Sequence, residues 1–329
     1  MWARRFRLLA LSGAVLAALV IVLGAWVRLT DAGLGCPDWP GCYGHVYPNG
    51  VAEAGKAWHE MIHRYVAATL GLIITLLLAW AVLRRKDRDQ PLIPVALLFL
   101  IVCLQGLLGA LTVTLLLKPL IVTAHLMGGL ATLSLLWWLS IAPERRQLSA
   151  PELQLRHFAL LACAALALQI FLGGWTSTNY AAVACPDFPT CQQSWWPSMD
   201  FHDAFVLWRG LGVDYEGGVL ANPARMAIQF THRLGAVVNG SILLALGLMT
   251  ALRATSRRLT AGGLLLILAV LLQISIGIAT VQSRIALPVA TLHNAGAALL
   301  VTTMVWLMRA LWPGPPARMV PFGHVNRPR

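Results

Sequence analysis

Residues Gly24–Cys42 read GAWVRLTDAGLGCPDWPGC, and residues Gly173–Cys191 read GGWTSTNYAAVACPDFPTC. The two segments share a tryptophan, an aspartate, two prolines and a C-x5-C spacing at a constant offset of 149 residues. Chance similarity is a poor explanation, because cysteine and tryptophan are uncommon residues. Self-similarity at a fixed offset indicates a tandem duplication.

Further matches extend the duplication along the chain. EMIHRYVA, which begins at Glu60, matches QFTHRLGA, which begins at Gln229, at an offset of 169. At an offset of 168, two more pairs match, Gln105 with Gln273 and His125 with His293. The change in offset places an insertion of about twenty residues in the outer loop between Cys191 and His232.

The composition is that of a membrane protein. Of the 329 residues, 58% are hydrophobic and 12% are charged, with a mean hydropathy of +0.71. Soluble domains carry about 25% charged residues, so a cytosolic enzyme, a disordered chain and a coiled coil are excluded. Eight apolar stretches approach the roughly 20 residues that a helix needs to cross a bilayer. They are predicted at Leu8–Val27, Ile62–Leu83, Leu92–Thr114, Leu120–Ile141, His157–Trp175, Ile228–Leu252, Ala261–Thr280 and Leu287–Met308.

The basic residues predict the orientation of these spans. With the N-terminus on the cytoplasmic side, 17 of the 25 lysines and arginines fall in cytoplasmic segments, as the positive-inside rule requires. The net charge of +12 is therefore a topology signal, and we expect no nucleic-acid partner.

The repeat and the spans together predict the fold class. We expect an all-α integral membrane protein with eight transmembrane helices, arranged as two tandem four-helix bundles over residues 1–143 and 144–329. Because four spans is an even number, both halves have the same orientation. A pseudo-two-fold axis along the membrane normal is expected to relate them.

Four of the nine histidines fall at repeat-equivalent positions near the outer side. His63 and His232 are predicted to open the second and sixth helices, and His125 and His293 to lie about a turn inside the fourth and eighth. Facing imidazoles on neighbouring helices suit axial ligation of a haem iron. Two alternatives remain: histidines hydrogen-bonded within the bundle, and a zinc site, which needs three or four converging ligands.

Small and basic residues accompany these histidines. Arg64 and Arg233 follow the first histidine of each half and are placed to pair with haem propionates. Glycines that let a flat macrocycle approach the helices are Gly71, Gly128, Gly129, Gly235, Gly240 and Gly296.

The first outer loop of each half carries a cysteine pair, Cys36 with Cys42 and Cys185 with Cys191. Disulfides persist in oxidising compartments outside the cytoplasm, and five intervening residues allow a short closed loop. A structural disulfide is the favoured interpretation, with a redox-active pair and a metal clip as alternatives.

The two halves differ three residues before the first histidine, where Glu60 in one half is replaced by Gln229 in the other. Residues three apart share a helix face, so the Glu60 carboxylate is expected beside the edge of the first haem. The alternative is an acidic residue placed at a helix N-terminus by the macrodipole.

These features together resemble the haem A synthase family over essentially the whole chain. The resemblance rests on the eight spans, the duplication, E-x-x-H-R in the second helix, H-R in the sixth, single histidines in the fourth and eighth, and the C-x5-C loops. It implies an enzyme that oxidises one methyl group of haem O to a formyl group through a hydroxymethyl intermediate, giving haem A.

The resemblance also implies a division of labour. The substrate haem O binds in the N-terminal half at His63 and His125, and a permanent haem b binds in the C-terminal half at His232 and His293. Glu60 matches the family's essential carboxylate, and the Cys36/Cys42 pair matches a cysteine pair of some relatives. Expected partners are haem O, the lipid bilayer, a haem O synthase and an unidentified electron-transfer protein.

Two other functions remain as alternatives. One is a quinol-linked di-haem b-type electron-transfer protein, and the other is a parallel-repeat transporter. The short basic N-terminus is consistent with a bacterial cytoplasmic membrane protein whose two termini are cytoplasmic. The enlarged outer loop is open to three interpretations: a lid, a docking surface or a membrane-interface anchor.

Overall fold

The computed structural model describes residues 2–48, 53–87, 90–144 and 146–313. Eight long helices account for nearly all of the regular structure in this part of the chain. They are α1 (Trp2–Leu29), α2 (Ala54–Leu83), α3 (Leu92–Thr114), α4 (Pro119–Ser140), α5 (Ala150–Thr178), α6 (Asn222–Arg253), α7 (Arg257–Gln282) and α8 (Leu287–Leu311). Each is long and apolar enough to cross a membrane. The predicted all-α, eight-span class is confirmed.

Helix boundaries agree with the predictions where an apolar run stops at a polar or basic cluster. α3 has the predicted bounds, and α2 ends at Leu83, directly before Arg84 and Arg85. The arginines predicted to be cytoplasmic at positions 88, 145, 318, 327 and 329 lie outside the described residues.

The predicted starts of α2 and α6 are wrong. α2 begins at Ala54 and α6 at Asn222, so His63 is the tenth residue of α2 and His232 the eleventh of α6. Neither histidine opens its helix. The first turns of both helices are polar, and a search for apolar runs therefore omits them. α5 also begins before its predicted start, and the Glu152 carboxylate accepts a hydrogen bond from the Ser149 N–H at 2.9 Å in its first turn.

The helices pack as two cyclic groups of four. In each group consecutive helices are in contact, and the first helix also contacts the fourth. The groups meet through α1 and α4 of one and α5 and α8 of the other. A continuous apolar core runs through both, with fully buried residues such as Ala10, Ile74, Leu136, Leu246 and Leu307.

Repeat-equivalent residues meet where the two groups join. A guanidinium N–H of Arg28 donates to the Ser177 carbonyl at 2.7 Å, and the Tyr180 hydroxyl donates to the Asp31 carboxylate at 3.1 Å. Both pairs are separated by 149 residues, the repeat offset. Equivalent positions contact each other at a two-fold axis, so these contacts are those expected near the predicted pseudo-axis. The axis itself stays a prediction.

The enlarged outer loop of the second group contacts the first group. Lys118 is only 2% exposed, and its ammonium group donates to the carbonyls of Arg209 at 2.8 Å and Gly210 at 2.5 Å. It also lies 3.6 Å from the centre of the Trp208 ring. This loop therefore spans the boundary between the two groups, next to the N-terminus of α4. Its role as a lid, docking surface or anchor stays a prediction.

Candidate functional site

The four histidines lie in the outer part of the even-numbered helices, two in each group. His63 is on α2, His125 on α4, His232 on α6 and His293 on α8. His63 and His125 thus lie in one four-helix group and His232 and His293 in the other, so each group contains one of the two predicted pairs.

Each imidazole lies against a glycine of the helix that precedes its own. A methyl group built on that glycine would lie within 3.0–3.6 Å of the imidazole Cε1 atom. The four contacts are Gly24 with His63, Gly109 with His125, Gly173 with His232 and Gly277 with His293. None of these four glycines is among those predicted to line a haem slot. The repeat could have identified them, because Gly24 pairs with Gly173 at an offset of 149 and Gly109 with Gly277 at 168.

Three of the glycines predicted to line a haem slot accommodate glutamine side chains. Gly128 lies against Gln105, Gly235 against Gln169 and Gly296 against Gln273, each so closely that a Cβ atom would collide with the amide. Gly240 faces Ile274, Gly129 faces Ile21 and Gln105, and Gly71 has no neighbouring atom at its vacant Cβ position.

The ring nitrogens fit axial ligation of a haem iron. Nδ1 of His63, His125 and His293 is buried and has no hydrogen-bond partner among the described residues. Buried polar atoms without partners are rare in proteins. The four Nε2 atoms make no hydrogen bond within the described part of the chain, and none of them is fully buried. Nε2 is therefore the nitrogen accessible to a ligand.

The same residues do not fit a protein-only zinc site. Among the described residues, no three His, Cys, Asp or Glu side chains come close enough together to hold a metal ion. A tetrahedral zinc site uses three or four protein ligands. Two imidazoles in each group would instead suit a haem, whose porphyrin supplies four nitrogens to the iron and needs no further protein ligands.

Glu60 lies inside α2 and supports the first outer loop. The residue is 5% exposed, and its carboxylate accepts the Cys36 N–H at 2.9 Å and an Arg64 N–H at 2.5 Å. Gln229 is equally buried, but its Oε1 atom has no partner among the described residues. Glu60 is the seventh residue of α2, whereas macrodipole effects are confined to the first turn, so the helix-terminus alternative is wrong.

Arg64 and Arg233 bind carbonyl groups of the outer loops. Arg64 donates to the carbonyls of Asp38 at 3.0 Å and Gly41 at 2.6 Å. Arg233 donates to those of the equivalent Asp187 at 2.9 Å and Thr190 at 2.7 Å. Both arginines therefore fasten a loop to the helix that carries the first histidine, a role that sequence analysis missed because it depends on tertiary contacts.

Both cysteine pairs form disulfides in the outer loops. The Cα–Cα distances are 4.8 Å for Cys36–Cys42 and 4.5 Å for Cys185–Cys191, within the usual range. Each loop also contains an aspartate that accepts backbone N–H groups. A hydrogen bond from Gly44, more than any other interaction, lowers the pKa of Asp38 below its ordinary value of 3.8.

Comparison with known proteins agrees with this geometry. The model of the COX15-CtaA family, described as cytochrome oxidase assembly protein, matches residues 7–305. The haem A synthase of Shewanella oneidensis is 42% identical over 316 residues, covering 91% of this chain and 94% of that protein. The haem A synthases of Halalkalibacterium halodurans and Granulibacter bethesdensis are 28% and 27% identical. Each alignment covers 89% of this chain, together with 92% and 83% of the respective relative.

Proposed function

We propose a residue-level account of catalysis by this chain, which belongs to the COX15-CtaA family of cytochrome oxidase assembly proteins. The chain is a multi-pass membrane enzyme that oxidises haem O to haem A. Its similarity to haem A synthases supports this function and neither of the alternatives, electron transfer alone or transport.

The substrate haem O is assigned to the N-terminal half, residues 1–143, between His63 and His125. A resident haem b is assigned to the C-terminal half, residues 144–329, between His232 and His293. The paired imidazoles, their accessible Nε2 atoms and their glycine contacts support both assignments. When bound, haem b supplies a one-electron redox centre.

The observation that carries the mechanism is the difference between Glu60 and Gln229. Both side chains are buried at equivalent positions, three residues before an iron ligand. A carboxylate there can accept a proton from the haem O rim methyl or stabilise a cation formed on it. An amide can do neither. Arg64 and the Cys36 N–H orient the Glu60 carboxylate, so the first half carries the chemistry and the second does not.

The arginines that follow His63 and His232 are assigned a second task beyond holding the loops, which is to pair with haem propionates. Each directly follows a proposed haem ligand, and guanidinium groups carry five donors. Nε of Arg233 has no hydrogen-bond partner among the described residues, which leaves one of its donors unused by the loop.

The membrane is proposed to be a bacterial cytoplasmic membrane, with both chain termini cytoplasmic. The distribution of basic residues supports this orientation, as do the disulfides at the opposite side. A haem O synthase that delivers substrate and an electron-transfer protein that accepts electrons are proposed as partners.

Replacement of Glu60 by glutamine tests the mechanism, and Gln229→Glu is the matched control. Each variant is expressed with a haem O supply, and its pigments are extracted with acidic acetone and identified by mass spectrometry. We expect Glu60→Gln to accumulate haem O or a partly oxidised haem, and Gln229→Glu to yield haem A. Normal haem A formation by Glu60→Gln would overturn the assignment.

A further inference from the structure

Asn239 is a buried polar residue in the membrane-spanning part of α6, and the proposed function leaves it without a task. The residue is 7% exposed. Its Oδ1 atom is buried and has no hydrogen-bond partner in the described part of the chain, and its Nδ2 atom is not fully buried and makes no hydrogen bond there. Buried amide groups are nearly always paired, and an unpaired one is costly at the depth of the lipid chains. The amide therefore indicates that α6 faces something here that the helices do not supply.

Asn239 lies on the face of α6 that carries His232. The two residues are seven apart, which is about two helical turns, so their side chains share one stripe about 10 Å apart along the axis. The stripe continues through the buried residues Leu243 and Leu246, whereas Val238 is exposed on another side of the helix. Asn239 therefore lies below the proposed iron ligand, toward the centre of the membrane.

The packing of the helices relates this position to a bound haem. α6 and α8 lie diagonally across the second group, because each contacts both α5 and α7. Under the proposed assignment, haem b lies between these two helices with its propionates toward Arg233, so its opposite edge points toward Asn239. Haem O differs from haem b at that edge, where a long isoprenoid chain replaces a vinyl group. Two helical turns exceed the reach of a vinyl group but not that of the chain.

The equivalent position in the first half is apolar. Leu70 corresponds to Asn239 at an offset of 169 and is 5% exposed. The facing helices α4 and α8 carry Thr132 and Leu300, each seven residues after the histidine of its helix. The Thr132 hydroxyl donates to the Gly128 carbonyl of its own helix at 2.9 Å, so it needs no other partner. At this depth, the unpaired amide thus distinguishes the second half from the first.

We propose that Asn239 is a specificity-determining residue that keeps haem O out of the second half. An isoprenoid chain lying against the amide would leave it unpaired and cut off from water, whereas haem b leaves it free to bind water. A site whose buried polar groups would be left unpaired rejects a ligand strongly. Leu70 packs against the chain in the first half and so admits haem O. The inference rests on the proposed assignment of haem b to the second half and haem O to the first.

The test isolates the second site by combining each variant with His63→Ala and His125→Ala. The protein is purified from cells that make haem b and haem O, and its extracted haems are identified by mass spectrometry. The chain that keeps Asn239 should hold haem b almost exclusively. Asn239→Leu, which copies the first half, and Asn239→Ala both remove the amide, so the ratio of bound haem O to haem b should rise about 5- to 100-fold.

Thr250→Ala is the matched control. Thr250 lies about three turns further along the same face of α6, is fully buried, and has a hydroxyl without a partner among the residues that the structure describes. The equivalent residue of the first half is Ala81, and the haem O to haem b ratio should not change. Leu70→Asn, combined with His232→Ala and His293→Ala, should lower the haem O held by the first half by a similar factor.

The outcomes separate the inference from the assignment beneath it. An unchanged ratio in both Asn239→Leu and Asn239→Ala would overturn the role of Asn239. An equal rise in Thr250→Ala would overturn it too, because general loosening of α6 would then explain the result. Absence of haem b from the chain that keeps Asn239 but lacks His63 and His125 would instead overturn the assignment of haem b to the second half.

Discussion

At the scale of single residues, one aspartate organises each outer loop. The Asp38 carboxylate accepts the N–H groups of Tyr43 at 2.6 Å and Gly44 at 2.7 Å. Asp187 accepts the equivalent groups of Gln192 at 2.7 Å and Gln193 at 3.0 Å. The Thr190 hydroxyl, above all, lowers the pKa of Asp187, as Gly44 does that of Asp38. These bonds bring the end of each loop back over its disulfide.

The lowered pKa of Asp38 predicts how the stability of the loop depends on pH. A carboxyl group with a depressed folded-state pKa stabilises the fold above its unfolded-state pKa, and this contribution is lost as pH falls through the folded-state value. At neutral pH we expect Asp38→Asn to make the Cys36–Cys42 disulfide about two- to fivefold more susceptible to a water-soluble phosphine. The ratio of the reduction rate in the variant to that in the wild type should approach one as pH falls well below 3.8.

Reduction is followed by alkylation and mass spectrometry at each pH. Asp187→Asn is the control, because it should affect only the Cys185–Cys191 loop. A constant ratio between variant and wild type across the pH range would contradict the stabilising role of the ionised carboxylate.

The residues of the site were predictable to the extent that they are rare and repeated. Histidine, cysteine and the Glu60/Gln229 difference stand out in the aligned halves, and the sequence therefore indicates them. The contacts of Arg64 and Arg233 with loop carbonyls are not encoded by spacing, since they join segments that are distant in the chain.

At the scale of helices, the glycine contacts predict that one added methyl group affects haem binding only in the half of the chain that carries it. A Cβ atom at position 24 would lie 3.0 Å from Cε1 of His63, and at position 173 it would lie 3.2 Å from Cε1 of His232. Carbon atoms pack at about 3.5–4.0 Å, so each imidazole must move by a few tenths of an ångström.

We therefore expect Gly24→Ala to reduce haem A formation about tenfold or more, since small misplacements in a site have large effects, while haem b content is unchanged. Gly173→Ala should reduce haem b content. Gly55→Ala in the first turn of α2 is the neutral control, because no atom lies within 4 Å of its Cβ position. Pigment analysis of the three purified variants checks the prediction, and loss of haem b in Gly24→Ala would contradict it.

The presence of the eight helices could be predicted from the sequence, but the starts of α2 and α6 could not. Apolar runs identify the membrane-spanning part of each helix because the bilayer demands it. The polar first turns of α2 and α6 continue beyond that part, so hydropathy places both starts too late. The error matters for function, because it placed His63 and His232 at helix ends when they lie more than two turns inside.

At the scale of the whole molecule, the two halves share the placement of their histidines and differ in a few side chains and in one loop. The repeat predicted that the halves match, and contacts such as Arg28 with Ser177 agree with a shared axis. The contact of the enlarged loop with Lys118 could not be predicted, because the loop has no counterpart in the first half. The proposed division of labour rests on a small set of differences between the halves, above all Glu60 against Gln229 and the enlarged loop.

The central claim is that the first half holds the substrate and the second half holds a permanent haem b. The direct measurement is the identity and amount of haem extracted from two purified double variants, His63→Ala with His125→Ala, and His232→Ala with His293→Ala. We predict that the first double variant retains about one haem b per chain and forms no haem A, and that the second contains no haem b. Loss of haem b from the first, or full retention of it by the second, would contradict the account.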